Sequence, residues 1–280
     1  MTDHDEASAP AAGDALTQTA SSKPPGRRAK RSAPEEERSK GRRITFWVGV
    51  TMIAAGLALL AYIAWELWGT NIISKEHQRQ ITAQLQEEWA AGTGCTKTCP
   101  AGQATALIRI PKFGKDYVVP VLEGASDGSI SSDILARGFG HFQTGKPGGG
   151  VAYPGDIGNY ALAAHRITHG EPLRHMPDLR PGDKVIVETR SATYVYSLDT
   201  NPNDLVIPFT GIWVLDPAPH NPAGGVPNDV TFANDRLITL TTCSELFHTD
   251  NRMIAFGHLV RVVKKTGVVP ALPPVGPGSS

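Results

Sequence analysis

Residues 104–265 are predicted to form a mainly β domain, a closed barrel or a sandwich, preceded by one transmembrane helix. Three observations carry this expectation. Eight short runs rich in β-branched and aromatic residues recur between Ala106 and Lys264, broken by Gly, Pro and Asp. Many short strands at such spacing build barrels or sandwiches. One long apolar run, Ile44–Trp68, carries a single charge, Glu66, close to its end; no second comparable run and no internal repeat is visible.

The chain has 280 residues, enough for one or two domains with a sizeable core. Lys+Arg and Asp+Glu are both 27, so no global charge points to nucleic acid. The balance hides an asymmetry: residues 20–43 hold nine basic residues against three acidic ones, whereas from residue 91 onward the signs are even. A basic arm is attached to a neutral body. Residues 1–43, rich in Ala, Ser, Pro, Gly and charge, bury too little apolar surface to order and read as a disordered cytoplasmic tail.

The run 44–68 is the expected anchor. At about 1.5 Å per residue it spans a hydrocarbon core of roughly 30 Å. Trp47, Trp65 and Trp68 sit near its ends, where amphipathic rings favour the interface. It is too long for the apolar core of a cleaved signal peptide, and no clear small-residue cleavage pattern follows it. Lys40, Arg42 and Arg43 abut its start, while Lys75 and Arg79 are set back beyond its end with Glu76 between them. The positive-inside rule then predicts a single-pass protein with a cytoplasmic N-terminus and an extracellular body.

Residues 69–103 read as a helical linker. A helix is expected over Ser74–Ala91, with Ser74 as cap and Ile81, Leu85 and Trp89 at four-residue spacing. Cys95 and Cys99 lie in the loop after it, either as a small disulfide or as free thiols. No nearby His or further Cys completes four metal ligands. The expected strands are Ala106–Ile110, Tyr117–Leu122, Tyr160–His165, Lys184–Thr189, Ala192–Leu198, Gly211–Leu215, Arg236–Thr242 and Arg252–Lys264. A short helix fits Ser132–Arg137, capped by Ser131 or Ser132, and a helical turn fits near Pro172–Leu179. Residues 266–280, punctuated by Gly and Pro, read as a disordered tail.

Three side chains carry the candidate chemistry. Cys243 ends the run Arg236–Cys243 and is the odd cysteine of three, a flag for a free thiol. A lone cysteine at a strand end is also an ordinary small hydrophobe; company distinguishes the two. A thiolate nucleophile needs a partner and a donor for the developing oxyanion. Arg252 opens the next strand, and a turn over Ser244–Asn251 returns it beside Cys243, where it can also be a plain solvated charge. His165 ends the apolar run that starts at Tyr160 and so meets a loop; His141, His169 and His248 are rivals among nine histidines. Tyr160, Ala163, Thr241 and Thr242 flank the proposed histidine and nucleophile and are candidate substrate-binding residues or ordinary strand packing. The irregular loop Pro202–Asp235 is a candidate specificity wall.

The segment Thr239-Leu240-Thr241-Thr242-Cys243 with Arg252 on the following strand and Asn159–Arg166 upstream resembles the sortases, cysteine transpeptidases of Gram-positive bacteria. The stretch Leu135–Phe142 looks like the segment before the histidine strand in the actinobacterial class E group. Ala164 stands where the family often has Gly, and Ser244-Glu245 where class E members often have a pair such as His-Pro. The resemblance implies an eight-stranded sortase-type β-barrel that needs no metal or organic cofactor. It implies that Cys243 attacks the threonyl carbonyl of a C-terminal sorting motif of the L-P-x-T-G or L-A-x-T-G type, carried by secreted proteins. By the same resemblance, Arg252 binds the substrate and stabilises the oxyanion, and His165 exchanges protons with the leaving and incoming amines. The acceptor it implies is a peptidoglycan-precursor amine at the cell wall. The alternatives are a pilus-polymerising sortase, whose inhibitory lid and second anchor are not evident, and a non-catalytic anchored barrel that binds a wall component.

Overall fold

The computed structural model describes residues 35–65, 69–143, 152–245 and 250–265. The chain divides into two compact units, residues 1–55 and 56–280. Helix α1 (Glu35–Ala64) starts before the apolar run opens at Ile44. Part of the segment expected to be disordered is therefore helical, and residues 1–34 and 266–280 lie outside the described residues. The stretch Lys40–Ala64 is long and apolar enough to cross a membrane. Phe46, Trp47, Leu57 and Leu60 on it are exposed.

Helix α2 (Thr70–Ala90) opens ahead of the expected start. Ser74 does not cap it but lies buried inside it. Its buried residues are Asn71, Ser74, Gln78, Thr82, Leu85 and Trp89, a single stripe at helical spacing. The C-terminal half of the stripe is apolar: Leu85 and Trp89 pack on Leu107. The helix stops where Gly92 takes a left-handed φ of 73°. Gly92 N–H then reaches the Trp89 carbonyl and Thr93 N–H the Glu88 carbonyl, both acceptors the helix end would otherwise leave unpaired. Cys95 and Cys99 are joined by a disulfide.

Among the described residues, nine strands form one sheet: β1 (Ala104–Arg109), β2 (Val119–Glu123), β3 (Phe139–His141), β4 (Gly158–Ala163), β5 (Lys184–Glu188), β6 (Ala192–Leu198), β7 (Val206–Pro208), β8 (Arg236–Cys243) and β9 (Asn251–Lys264). Their order is β6-β5-β1-β2-β3-β4-β8-β9-β7, and β6 also pairs with β9. Eight strands therefore close a barrel, and β7 hangs on the outside of β9. Helix α3 (Ser132–Arg137) is capped by Ser131, whose hydroxyl accepts from Ile134 N–H at 3.3 Å.

One expected strand is overturned. Residues Ile212–Leu215 form a 3-10 turn, not a strand. A four-residue apolar run carries no usable period, and here it folds inward so that Val214 packs on Ile254 and Phe256. The turn expected near Pro172–Leu179 narrows to Met176–Asp178. Strands β3 and β7, three residues each, were too short to register as alternation.

The barrel has two apolar faces to fill. Tyr160, Leu162, Ile238, Leu240, Met253 and Ala255 enter the interior core. Ile254 and Phe256 point outward to a second cluster with Leu205, Ile207 and Val214. Each strand alternates, so β8 sends Ile238 and Leu240 inward and Thr239, Thr241 and Cys243 outward.

Candidate active site

Cys243 is the last residue of β8, a free, half-buried thiol. The antiparallel ladder with β9 pairs Thr241 with Ile254, Thr242 with Met253 and Cys243 with Arg252. Directly opposed residues share a face, so the Arg252 and Cys243 side chains both leave the outer face of the barrel. The guanidinium of Arg252 lies over the Phe209 ring, 4.9 Å from its centroid, and donates to the Asn251 carbonyl at 3.0 Å.

On the other side of β8 runs β4, in parallel, with Ala163 level with Thr241. The pairing persists beyond the strand: Ala164 N–H donates to the Thr241 carbonyl at 3.1 Å and the Thr242 hydroxyl to the Ala164 carbonyl at 2.8 Å. Carried two residues on, this register brings His165 level with Cys243. The three expected residues thus occupy one cross-strand row, His165–Cys243–Arg252, at the rim where β4 and β8 end and β9 begins.

The His165 imidazole is mostly buried, and its Nε2 meets no hydrogen-bond partner among the described residues. Burial first, then the neighbouring charges of His169 and Arg252, push its pKa down to about 4. At neutral pH it is therefore an unprotonated base with a free nitrogen. The His169 ring stacks on it with centroids 4.7 Å apart. Arg166 turns back across the row and donates to the Ser244 carbonyl and, at 3.5 Å, to the Cys243 carbonyl.

Of the rival histidines, His141 is fully buried between the Glu123 carboxylate (2.8 Å) and the Ala152 carbonyl (3.1 Å), inside the barrel. His169 stands beside His165, and His248 lies outside the described residues. Of the four substrate-binding candidates, Ala163 and Thr241 share the outer face with Cys243. Tyr160 belongs to the interior core, 4.6 Å from the His141 ring, and Thr242 faces inward as its partner Met253 does.

The loop expected to form a wall does border this face. Strand β7 pairs with β9 beside Arg252. The 3-10 turn is tied down by Asn159, whose amide donates to the Val214 (2.9 Å) and Asp216 (3.1 Å) carbonyls while its oxygen accepts from Thr239 at 2.7 Å. Phe209 and Ile212 remain exposed along it. Asn159 and Arg166 enter the sequence analysis only as the ends of the Asn159–Arg166 stretch, with no role of their own, and Phe209 only within the Pro202–Asp235 loop. Arg166 alone offered a signal, a charge directly after the histidine at the end of an apolar strand.

A family model described as the sortase domain matches residues 108–260. Sortase SrtE1 of Streptomyces coelicolor is 36% identical over 218 residues, which cover 76% of this chain and 56% of that protein. The chain thus spans little more than half the length of SrtE1. SrtE2 of the same organism is 26% identical over 228 residues, covering 79% of this chain and 83% of SrtE2. Among solved structures, sortase E1 of Streptomyces coelicolor, crystallised with a tripeptide in its active site, aligns at a TM-score of 0.46 and 35% identity, over 62% of this chain and 98% of its own. The domain match runs from within β1 into β9, the same barrel that carries the cysteine row, and by it the chain belongs to the sortase family, with similarity to the class E members SrtE1 and SrtE2.

Proposed function

We propose that this protein is a membrane-anchored sortase that cleaves a C-terminal sorting motif of the L-P-x-T-G or L-A-x-T-G type between Thr and Gly. It then joins the new carboxyl end to the amine of a peptidoglycan precursor. The observation that carries this reading is the row His165–Cys243–Arg252. Cys243 Sγ attacks the threonyl carbonyl carbon; the sulfur–carbon bond forms as the carbonyl opens to an oxyanion. Arg252 faces the same side and supplies fixed charge and N–H donors to that oxygen. His165, neutral at rest, takes the thiol proton and passes it to the departing glycyl nitrogen as the carbon–nitrogen bond breaks. The resulting thioester is attacked by the incoming amine, whose proton His165 accepts before the thiol is released. Two displacements replace one difficult exchange.

Ala163 and Thr241 on the shared face, with Phe209 and Ile212 along the wall, are the residues we assign to motif contact. Helix α1 is the anchor; the basic flank sets its N-terminus in the cytoplasm and the barrel outside. The Cys95–Cys99 disulfide agrees with an oxidising compartment. A fluorogenic sorting peptide tests the reading. Cys243→Ala abolishes cleavage, and His165→Ala and Arg252→Ala each reduce it by roughly a hundredfold or more. Cleavage retained in Cys243→Ala refutes it.

A further inference from the structure

The loop that follows His165 is held in an unusual backbone. His169, Gly170 and Glu171 are consecutive residues with φ of 54°, 84° and 53°. Two of them carry side chains, for which this left-handed region is unfavourable, so the turn persists only where neighbours impose it. The neighbours come from α2. Asn71 brackets the turn: its amide donates to the Ile167 carbonyl at 3.0 Å, and its oxygen accepts from Gly170 N–H at 2.8 Å. Gln78 donates to the His169 carbonyl at 3.2 Å. Lys75 pairs with Glu171 at 3.2 Å. Contact is close: a Cβ on Gly170 would lie 2.5 Å from the Gln78 amide nitrogen.

This accounts for the two amides in the polar half of the α2 stripe. Asn71 and Gln78 are 7% and 5% exposed, and buried amides of this kind persist when they satisfy backbone groups. Here those groups belong to a turn whose His169 ring lies flat against His165.

We propose that α2 is a positioning element of the active site: Asn71 and Gln78 hold the His169–Glu171 turn, and the stacked His169 ring fixes the His165 imidazole level with Cys243. The role of His165 rests on the sortase reading; the clamp itself does not. A soluble version cut after the apolar helix keeps the clamp only if it retains Asn71.

The test uses the full chain in detergent, with Asn71→Ala, Gln78→Ala and the double variant. Leu85→Ala is the control, because it loosens α2 from the barrel without touching the turn. Two readouts are taken: turnover of a sorting peptide and the titration of His165 by NMR of labelled histidines. The double variant lowers kcat roughly 10- to 100-fold with KM changed less than about twofold. It also moves the His165 midpoint up from about 4 toward the ordinary 6.5, since a released ring meets water and loses its stacked neighbour. Leu85→Ala with a similar loss of Tm leaves the midpoint in place. If the double variant does not fold, the single variants give the same comparison. The clamp is overturned if kcat and midpoint stay at wild-type values, or if Leu85→Ala reproduces both changes. If the wild-type chain cleaves no sorting peptide, the sortase reading falls, and the His165 midpoint alone decides the clamp.

Discussion

One component of acid destabilisation should pass through the His165 imidazole, and His165→Gln isolates it. In the unfolded chain His165 titrates near its ordinary 6.5, whereas the folded site holds it at about 4, through burial and then the charges of His169 and Arg252. A group with a depressed folded pKa takes up its proton more readily when unfolded, so protonation favours unfolding. The stability associated with the neutral ring is complete above 6.5 and is lost as pH falls toward 4. Integrating between these limits gives a loss of about 2 kcal/mol from pH 7 to pH 5 and about 3 kcal/mol by pH 4. Glutamine has similar volume and no titration in this range, so His165→Gln lacks that component. Every other titratable group is common to both proteins and drops out of the difference. Urea unfolding followed by tryptophan fluorescence at pH 7, 5 and 4 measures it. The gap between the two stabilities should shift in favour of the variant by about 2 kcal/mol between pH 7 and pH 5. Parallel loss in both proteins would mean that His165 titrates normally, and the picture of a buried, neutral base would be wrong.

Other substitutions separate the roles assigned here. Arg252→Lys keeps the charge but loses the planar fork over Phe209, and kcat for a sorting peptide should fall about 100-fold while Tm changes little. His141→Ala should act in the opposite way, destabilising the fold by roughly 3–5 kcal/mol in urea unfolding, because a fully buried ring is removed and Glu123 keeps only the Thr105 hydroxyl as partner among the described residues. Asn159→Ala leaves the Val214 and Asp216 carbonyls without their donor and should cost about 1–3 kcal/mol. It should also broaden peptide preference at the wall, read as a narrower spread of kcat/KM over a peptide panel. With the disulfide intact, one of the three cysteines should react with a thiol reagent in denaturant, and all three after reduction.

Much of this site was legible because chemistry and strand pattern coincide. The run Arg236–Cys243 is rich in β-branched residues and ends in its thiol, and the loop to Arg252 is short enough to return the chain beside it. The histidine strand was legible for the same reason. Ile212–Leu215 misled because four apolar residues fit a strand and a buried turn equally well. Tyr160 and Thr242 were grouped with the site by nearness in sequence, yet neighbours along a strand face opposite ways. The α2 stripe was half visible: Leu85 and Trp89 announced an apolar face, whereas Asn71 and Gln78 look like solvent-facing residues until their backbone partners are known. A polar residue is informative about burial only once its partner is known, and here the partner lies about ninety residues away in the chain.

Why the three groups meet follows from strand direction. Strands β4 and β8 are parallel neighbours, so their C-terminal ends reach the same rim, while β9 is antiparallel to β8 and starts there. A histidine just past one end, a cysteine at the next and an arginine at the start of the third then fall in one row without any long loop having to deliver them. The row also has a fixed face. Alternation places Thr239, Thr241 and Cys243 outward because Ile238 and Leu240 must fill the core. Register is therefore the quantity the site depends on. Inserting one alanine between Ala163 and Ala164 leaves the β4 core residues Tyr160 and Leu162 in place but turns the imidazole by one pleat relative to Cys243. Such a chain should keep its fold and cysteine alkylation while losing peptide turnover by roughly 100-fold. Turnover near the wild-type rate would show that the loop, and not the β4–β8 register, delivers the histidine.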